Sequence, residues 1–103
     1  MSVQPDREIS AQDLADRLES GEALNIVDVR EPAEWEEGHI PGAKHIPLGQ
    51  LPERFTELDP EREWFIVCRS GARSGLACEL LSERGYHVVN MTGGLLAWDG
   101  KLV

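Results

Sequence analysis

Cysteine is scarce in this chain, and long apolar runs are missing altogether. Cys68 and Cys78 are the only thiols in 103 residues. Two are too few for a disulfide framework or a zinc site, which points to a reducing, cytoplasmic setting. No apolar stretch approaches the ~20 residues that cross a bilayer, so no membrane association is expected. The opening MSVQPDREIS has no apolar h-region, which predicts no signal peptide. Basic residues are few: 10 Lys and Arg stand against 19 Asp and Glu, for a net charge of −9. With no basic run to neutralise phosphates, nucleic acid is not an expected partner. Internal repeats, low-complexity tracts and linkers are also absent.

What is present fits one domain with a single core. SAQDLADRLESG reads as a helix with Ser10 as N-cap, Asp13 three residues later and Gly21 past its end. ALNIVDV (23–29) is a short apolar run of strand type. EPAEWEEG (31–38) places Pro32 in a first turn and Gly38 at a stop, which predicts a short helix. HIPGAKHIPL (39–48) predicts an ordered loop with a brief extended piece, and LPERFTEL (51–58) is helical in period. WFIVC (64–68) is a buried strand, ARSGLACELLSERG (72–85) a helix, HVVNM (87–91) a strand and GGLLAWDG (93–100) a last short helix. Strands alternating with helices predict an α/β fold whose parallel sheet is covered on both faces. In such sheets ligands sit at the carboxyl ends of strands, where Cys68 falls.

The segment CRSGARS carries the chemistry. Ser70, Gly71 and Ala72 are small enough for the backbone to curl, so that successive N–H groups point inward at a helix N-terminus and stabilise an anion. Arg69 and Arg73 add two permanent positive charges. A thiol held there is expected to lose its proton at neutral pH. The expectation is therefore an anionic sulfur nucleophile at Cys68, in a cradle that also accepts a negatively charged substrate.

Four blocks in order, VDVREPAEW, GHIPGAKHIPL, CRSGARS leading into LACELLSERGY, and GGLLAW, make the sequence resemble the rhodanese-like sulfurtransferase family from Ile9 to Val103. Residues 1–8 are then an N-terminal extension. The resemblance implies a three-layer domain, with a central, mostly parallel sheet of about five strands flanked by helices. It implies that Cys68 is the catalytic cysteine, which takes a sulfane sulfur from a donor such as thiosulfate or a persulfide. The sulfur then passes from the Cys68 persulfide to a thiol, to cyanide or to a sulfur-relay protein. By the same resemblance Arg69, Ser70, Gly71, Ala72 and Arg73 bind substrate. Ser74 lends support, and no metal or organic cofactor is required.

Two other readings belong to different classes. Phosphatases and arsenate reductases of the same fold use Cys-x5-Arg, usually with His before the cysteine. Here the spacing from Cys68 to Arg73 is Cys-x4-Arg, and Val67 precedes the cysteine. A non-catalytic interaction module is the third reading, although such members often lack the cysteine.

Asp28 and Arg30, at the end of the first predicted strand, are expected to be structural support, with Asp28 bracing the cysteine loop through N–H groups or an arginine. His39 is expected to fix its own loop by hydrogen bonding. Where the family has Phe or Tyr this chain has Trp35, and where it commonly has Asn this chain has His45. Cys78 is expected to be core filler, too far along its helix for a disulfide with Cys68. Leu76, Ala77, Leu80 and Leu81 are expected to form that helix's packing stripe, and Met91 and Trp98 to close the C-terminal core. Glu34, Glu36 and Glu37 read as a solvated helix face.

Overall fold

The computed structural model describes residues 7–103. Its elements are β1 (Glu8–Ser10), α1 (Ala11–Glu19), β2 (Asn25–Asp28), α2 (Pro32–Glu36), β3 (Lys44–His45), α3 (Leu51–Arg54, with a 3-10 turn at each end), β4 (Glu63–Val67), α4 (Ala72–Glu83) and β5 (His87–Thr92). A 3-10 turn over Gly94–Ala97 follows. All strand pairs are parallel, in the order β1-β5-β4-β2-β3. The expected five-strand parallel α/β sheet is therefore observed.

Strand periodicity divides the core in two, because successive side chains point to opposite faces. Val27, Trp64, Ile66 and Val88 pack with Ala77, Cys78 and Leu81 of α4 and with Leu51 of α3. Ile26, Phe65, Val67, Val89 and Met91 pack with Ala11 and Leu14 of α1 on the other face, where Trp98 also leans. As expected, Ser10 caps α1, its Oγ accepting the Asp13 N–H at 3.0 Å. The residues around the third helix form only one α-helical turn between 3-10 turns.

Two features depart from the sequence reading. β1 is not visible in the sequence: three residues carry no period, and only pairing with β5 (Ile9 beside Met91) makes them a strand. Leu76 is 58% exposed and does not belong to the packing stripe of α4. The buried face of α4 is Ser74, Ala77, Cys78, Leu81 and Ser82. At about 100° per residue Leu76 lies opposite that face, and Leu80 lies at its margin, partly buried.

Parallel pairing brings the carboxyl ends of β2, β4 and β5 to one end of the sheet. Asp28 pairs with Val67, and Ile66 pairs with Asn90. The loop after β4 therefore opens between the end of β2 and the turn after β5.

Candidate functional site

β4 delivers Cys68 fully buried at its end, and α4 begins four residues later. Gly71 is the N-cap of α4 with φ +106°, a left-handed conformation that glycine adopts without a Cβ penalty. That turn folds the loop back over the sulfur. Sγ accepts the Gly71 N–H at 3.0 Å and the Ser74 N–H at 3.3 Å, and Ser74 Oγ lies 3.3 Å away. The amides also carry the positive end of the α4 dipole.

A second layer holds the loop. Asn90 of β5 contacts Ser74 Oγ, and its Nδ2 donates to the Gly71 carbonyl at 3.3 Å. Leu95 N–H donates to the Cys68 carbonyl at 2.9 Å and Leu96 N–H to the Arg69 carbonyl at 3.0 Å. Gly94 makes this approach possible: a Cβ there would lie 2.2 Å from the Arg69 oxygen. The GGLLAW block thus clamps the cysteine loop from across the sheet end.

Burial alone pushes the Cys68 thiol up. The Ser74 hydroxyl and the N–H groups of Ser74, Gly71 and Ser70 together outweigh it, so Cys68 lies below the ordinary thiol value. The lowering runs in the expected direction, but its cause differs from the one expected of two arginines. Arg73 makes a bidentate pair with Glu34, at 2.8 and 2.9 Å, and feels the Cys68 charge only as a lesser influence. Arg69 is exposed.

Glu34 corrects the reading of the acidic helix as a solvated face. The Arg73 guanidinium holds its carboxyl at about 2, well below the usual carboxylate range. Its Oε1 also accepts the Glu31 N–H at 2.9 Å in a capping box at the start of α2. Glu36 and Glu37 are exposed, as expected.

Asp28 differs in detail from its expected role. It is fully buried, but its carboxylate binds Arg30 rather than the Cys68 loop, with Arg30 Nε 3.0 Å from each oxygen. Arg30 N–H also donates to Asp28 at 3.0 Å, and Arg30 Nη2 donates to the Gly38 carbonyl at 2.7 Å. The pair therefore shapes the turn into α2. His39 fixes that region: its Nδ1–H donates to the Trp35 carbonyl at 3.0 Å, and its ring stacks on Trp35 at 3.5 Å between centroids. His45 stacks on Trp35 at 4.6 Å, and its Nε2–H donates to the Arg30 carbonyl at 2.8 Å.

Asn90, Gly94 and Glu34 are the site residues the sequence reading missed. A single Asn in the otherwise apolar HVVNM was the available signal for the first. Cys78 is buried and unlinked, as expected.

Residues 10–101 match the Rhodanese-like domain family, and the chain belongs to that family. It is 44% identical over 95 residues to "Putative sulfurtransferase YtwF" of Bacillus subtilis, covering 92% of each chain. It is 43% identical over 95 residues to "Putative sulfur carrier protein YrkF" of the same organism, covering 91% of this chain and 51% of that one. A solved rhodanese-like domain protein from Staphylococcus aureus superposes with a TM-score of 0.89 at 34% identity, covering 94% of this chain and 96% of that one.

Proposed function

We propose that the protein is a sulfurtransferase that carries a sulfane sulfur on Cys68. The observation behind this reading is the Cys68 sulfur, buried yet ringed by the Gly71 and Ser74 amides and the Ser74 hydroxyl. Such a ring stabilises a thiolate, the form of cysteine that attacks sulfur. It also suits the persulfide anion that follows.

In the first step a Cys68 lone pair attacks the outer sulfur of the donor. The Sγ–S bond forms as the donor's own bond to that sulfur breaks, and the remainder leaves with the electron pair, as sulfite from thiosulfate or as a thiolate from a persulfide. In the second step a thiol or cyanide attacks the terminal sulfur, and the Cys68 thiolate is regenerated. No net oxidation of the protein occurs. The loop amides of Ser70, Gly71 and Ser74 cradle the charge, and Arg69, in the cleft beside the loop, meets the donor's anionic end. Arg73 acts on substrate only through what Glu34 leaves of its charge. The sulfur-carrier name borne by one relative supports a protein thiol as a physiological acceptor.

The rival phosphatase reading calls for an arginine free to close on phosphate, and Arg73 is bidentate on Glu34. Intact-protein mass spectrometry tests the proposal. Incubation with thiosulfate or glutathione persulfide should add one sulfur to wild type, none to Cys68→Ser, and cyanide should remove it. Hydrolysis of an aryl phosphate without any sulfur adduct would favour the phosphatase, and partner binding that survives Cys68→Ser without an adduct would favour an interaction module.

A further inference from the structure

The cleft beside the cysteine loop, about 290 Å³, is lined by Arg30, Glu34, Glu37, Arg69, Leu95 and Leu96. Its formal charges cancel, two arginines against two glutamates. Arg30 is further committed to the buried Asp28. Arg73, in the first turn of α4, is matched by Glu34. Among the described residues only Arg69 brings this mouth a cation without an ion pair. Leu96, 68% exposed, adds an apolar surface beside it.

We propose, on the basis of the sulfur-transfer reading, that Glu34 is a specificity-determining residue. By cancelling Arg73 it turns the site toward the persulfide of a low-molecular-weight organic thiol and away from thiosulfate. The charge carried through each reaction separates the two donors. Thiosulfate brings two negative charges to the Cys68 thiolate, so three crowd the reacting sulfurs before sulfite departs with two of them. A protonated persulfide, R–S–SH, brings none. The Sγ–S bond forms, the donor S–S bond breaks, R–S⁻ leaves, and the proton stays on the transferred sulfur. Only one negative charge needs to be accommodated. Loop amides and one free guanidinium match the second case, and the apolar Leu95 and Leu96 suit the carbon stem of an organic thiol.

The Glu34–Arg73 pair is built into the fold. Glu34 is fixed from two directions: by both guanidinium nitrogens of Arg73 and by the Glu31 amide. Its carboxyl, held at about 2, stays ionised at any physiological pH.

The test measures kcat/KM for sulfur loading of Cys68 from thiosulfate and from glutathione persulfide, in wild type and in Glu34→Gln. Glutamine keeps the Oε1 acceptor that caps α2 and removes only the charge. Wild type should favour the persulfide by at least about tenfold, and Glu34→Gln should narrow that ratio about tenfold by raising the thiosulfate rate. Arg73→Gln, which leaves Glu34 uncancelled, should widen it. Each ratio is taken within one preparation, so a partly folded variant does not distort it. A wild type that prefers thiosulfate overturns the proposal, as does a Glu34→Gln ratio within about twofold of wild type. If neither donor loads Cys68, the sulfur-transfer reading falls and takes this one with it. Loading by both donors with an unmoved ratio removes only the role of Glu34.

Discussion

Cys68 and Cys78 bracket the first two turns of α4, and both are fully buried. Their chemistry diverges all the same. Around Cys78 stand Ala77, Leu81 and the apolar side chains of the sheet, and burial pushes its thiol up to about 12. Around Cys68 burial acts in the same direction, but N–H groups of the loop and the Ser74 hydroxyl converge on the sulfur and bring it below the ordinary value. Loss of water therefore does not decide the acidity of a buried thiol. The aim of the nearest dipoles decides it, and in this fold the aim is set by the turn at Gly71 and by the Gly94 contact that presses the loop into place.

Displacing that contact is expected to do the most to erase the difference. In Gly94→Ala the new methyl group would overlap the Arg69 carbonyl, at a position with φ +60°. Either the loop moves or the turn after β5 does. Stability should fall by about 3 kcal/mol in urea unfolding. The Cys68 thiol should rise toward the ordinary value as its amides lose their aim, which the pH profile of iodoacetamide alkylation would report. An unchanged profile would mean that the clamp is not what orients the amides.

Ser74→Ala comes next. It removes the hydroxyl beside Sγ and keeps the Ser74 amide. The Cys68 thiol should rise, read from the same alkylation profile, with sulfur loading at neutral pH slowed accordingly. A profile that does not move would assign the whole effect to backbone N–H groups.

Much of this contrast was legible in the sequence, for identifiable reasons. The parallel α/β sheet follows from apolar runs spaced by helical patterns, and four ordered blocks name the family and point to Cys68. Cys78 reads as core because it lies too far along its helix to bond to Cys68. What stayed hidden depends on contacts between distant segments. Glu34 sits in a run of acidic residues that looks like ordinary surface until α2 is laid beside α4 and Arg73 closes on it. Gly94 has its role only because the turn after β5 meets the Arg69 carbonyl. The three residues of β1 acquire a conformation from β5 alone. Leu76 shows the opposite: an apolar residue in a helix suggests burial, yet its angle places it in solvent.

Glu34 offers a smaller perturbation of Cys68 and a sharper one of acid stability. Its folded value is about 2 against an ordinary 4.5. Between those values the native state keeps the carboxylate while the unfolded chain binds a proton, so stability rises with pH across that window. The contribution is complete above the unfolded value and is lost as pH falls toward 2. With side chains 31% and 24% exposed in Arg73 and Glu34, solvent screening limits it to about 1 kcal/mol. Wild type and Glu34→Gln should therefore differ by about that amount at pH 7 and converge near pH 2. Subtracting the variant also removes the parallel titration of Glu57, which lies at about 2 beside Arg54 and Lys44. Freed from Glu34, Arg73 should lower the Cys68 thiol only slightly.

Cys78→Ala should leave Cys68 where it is. Cys78 keeps its proton up to about pH 12, so its removal takes no charge away from the loop. The substitution opens a small gap under α4 and should cost about 1 kcal/mol in urea unfolding, while the Cys68 alkylation profile shifts by less than about 0.3 unit. Stability and thiol acidity would then have come apart. In Gly94→Ala they move together because one contact holds both the backbone and the aim of the amides. If the Cys78 variant does shift Cys68, the packing under α4 itself positions the Ser74 amide, and the two cysteines belong to one site.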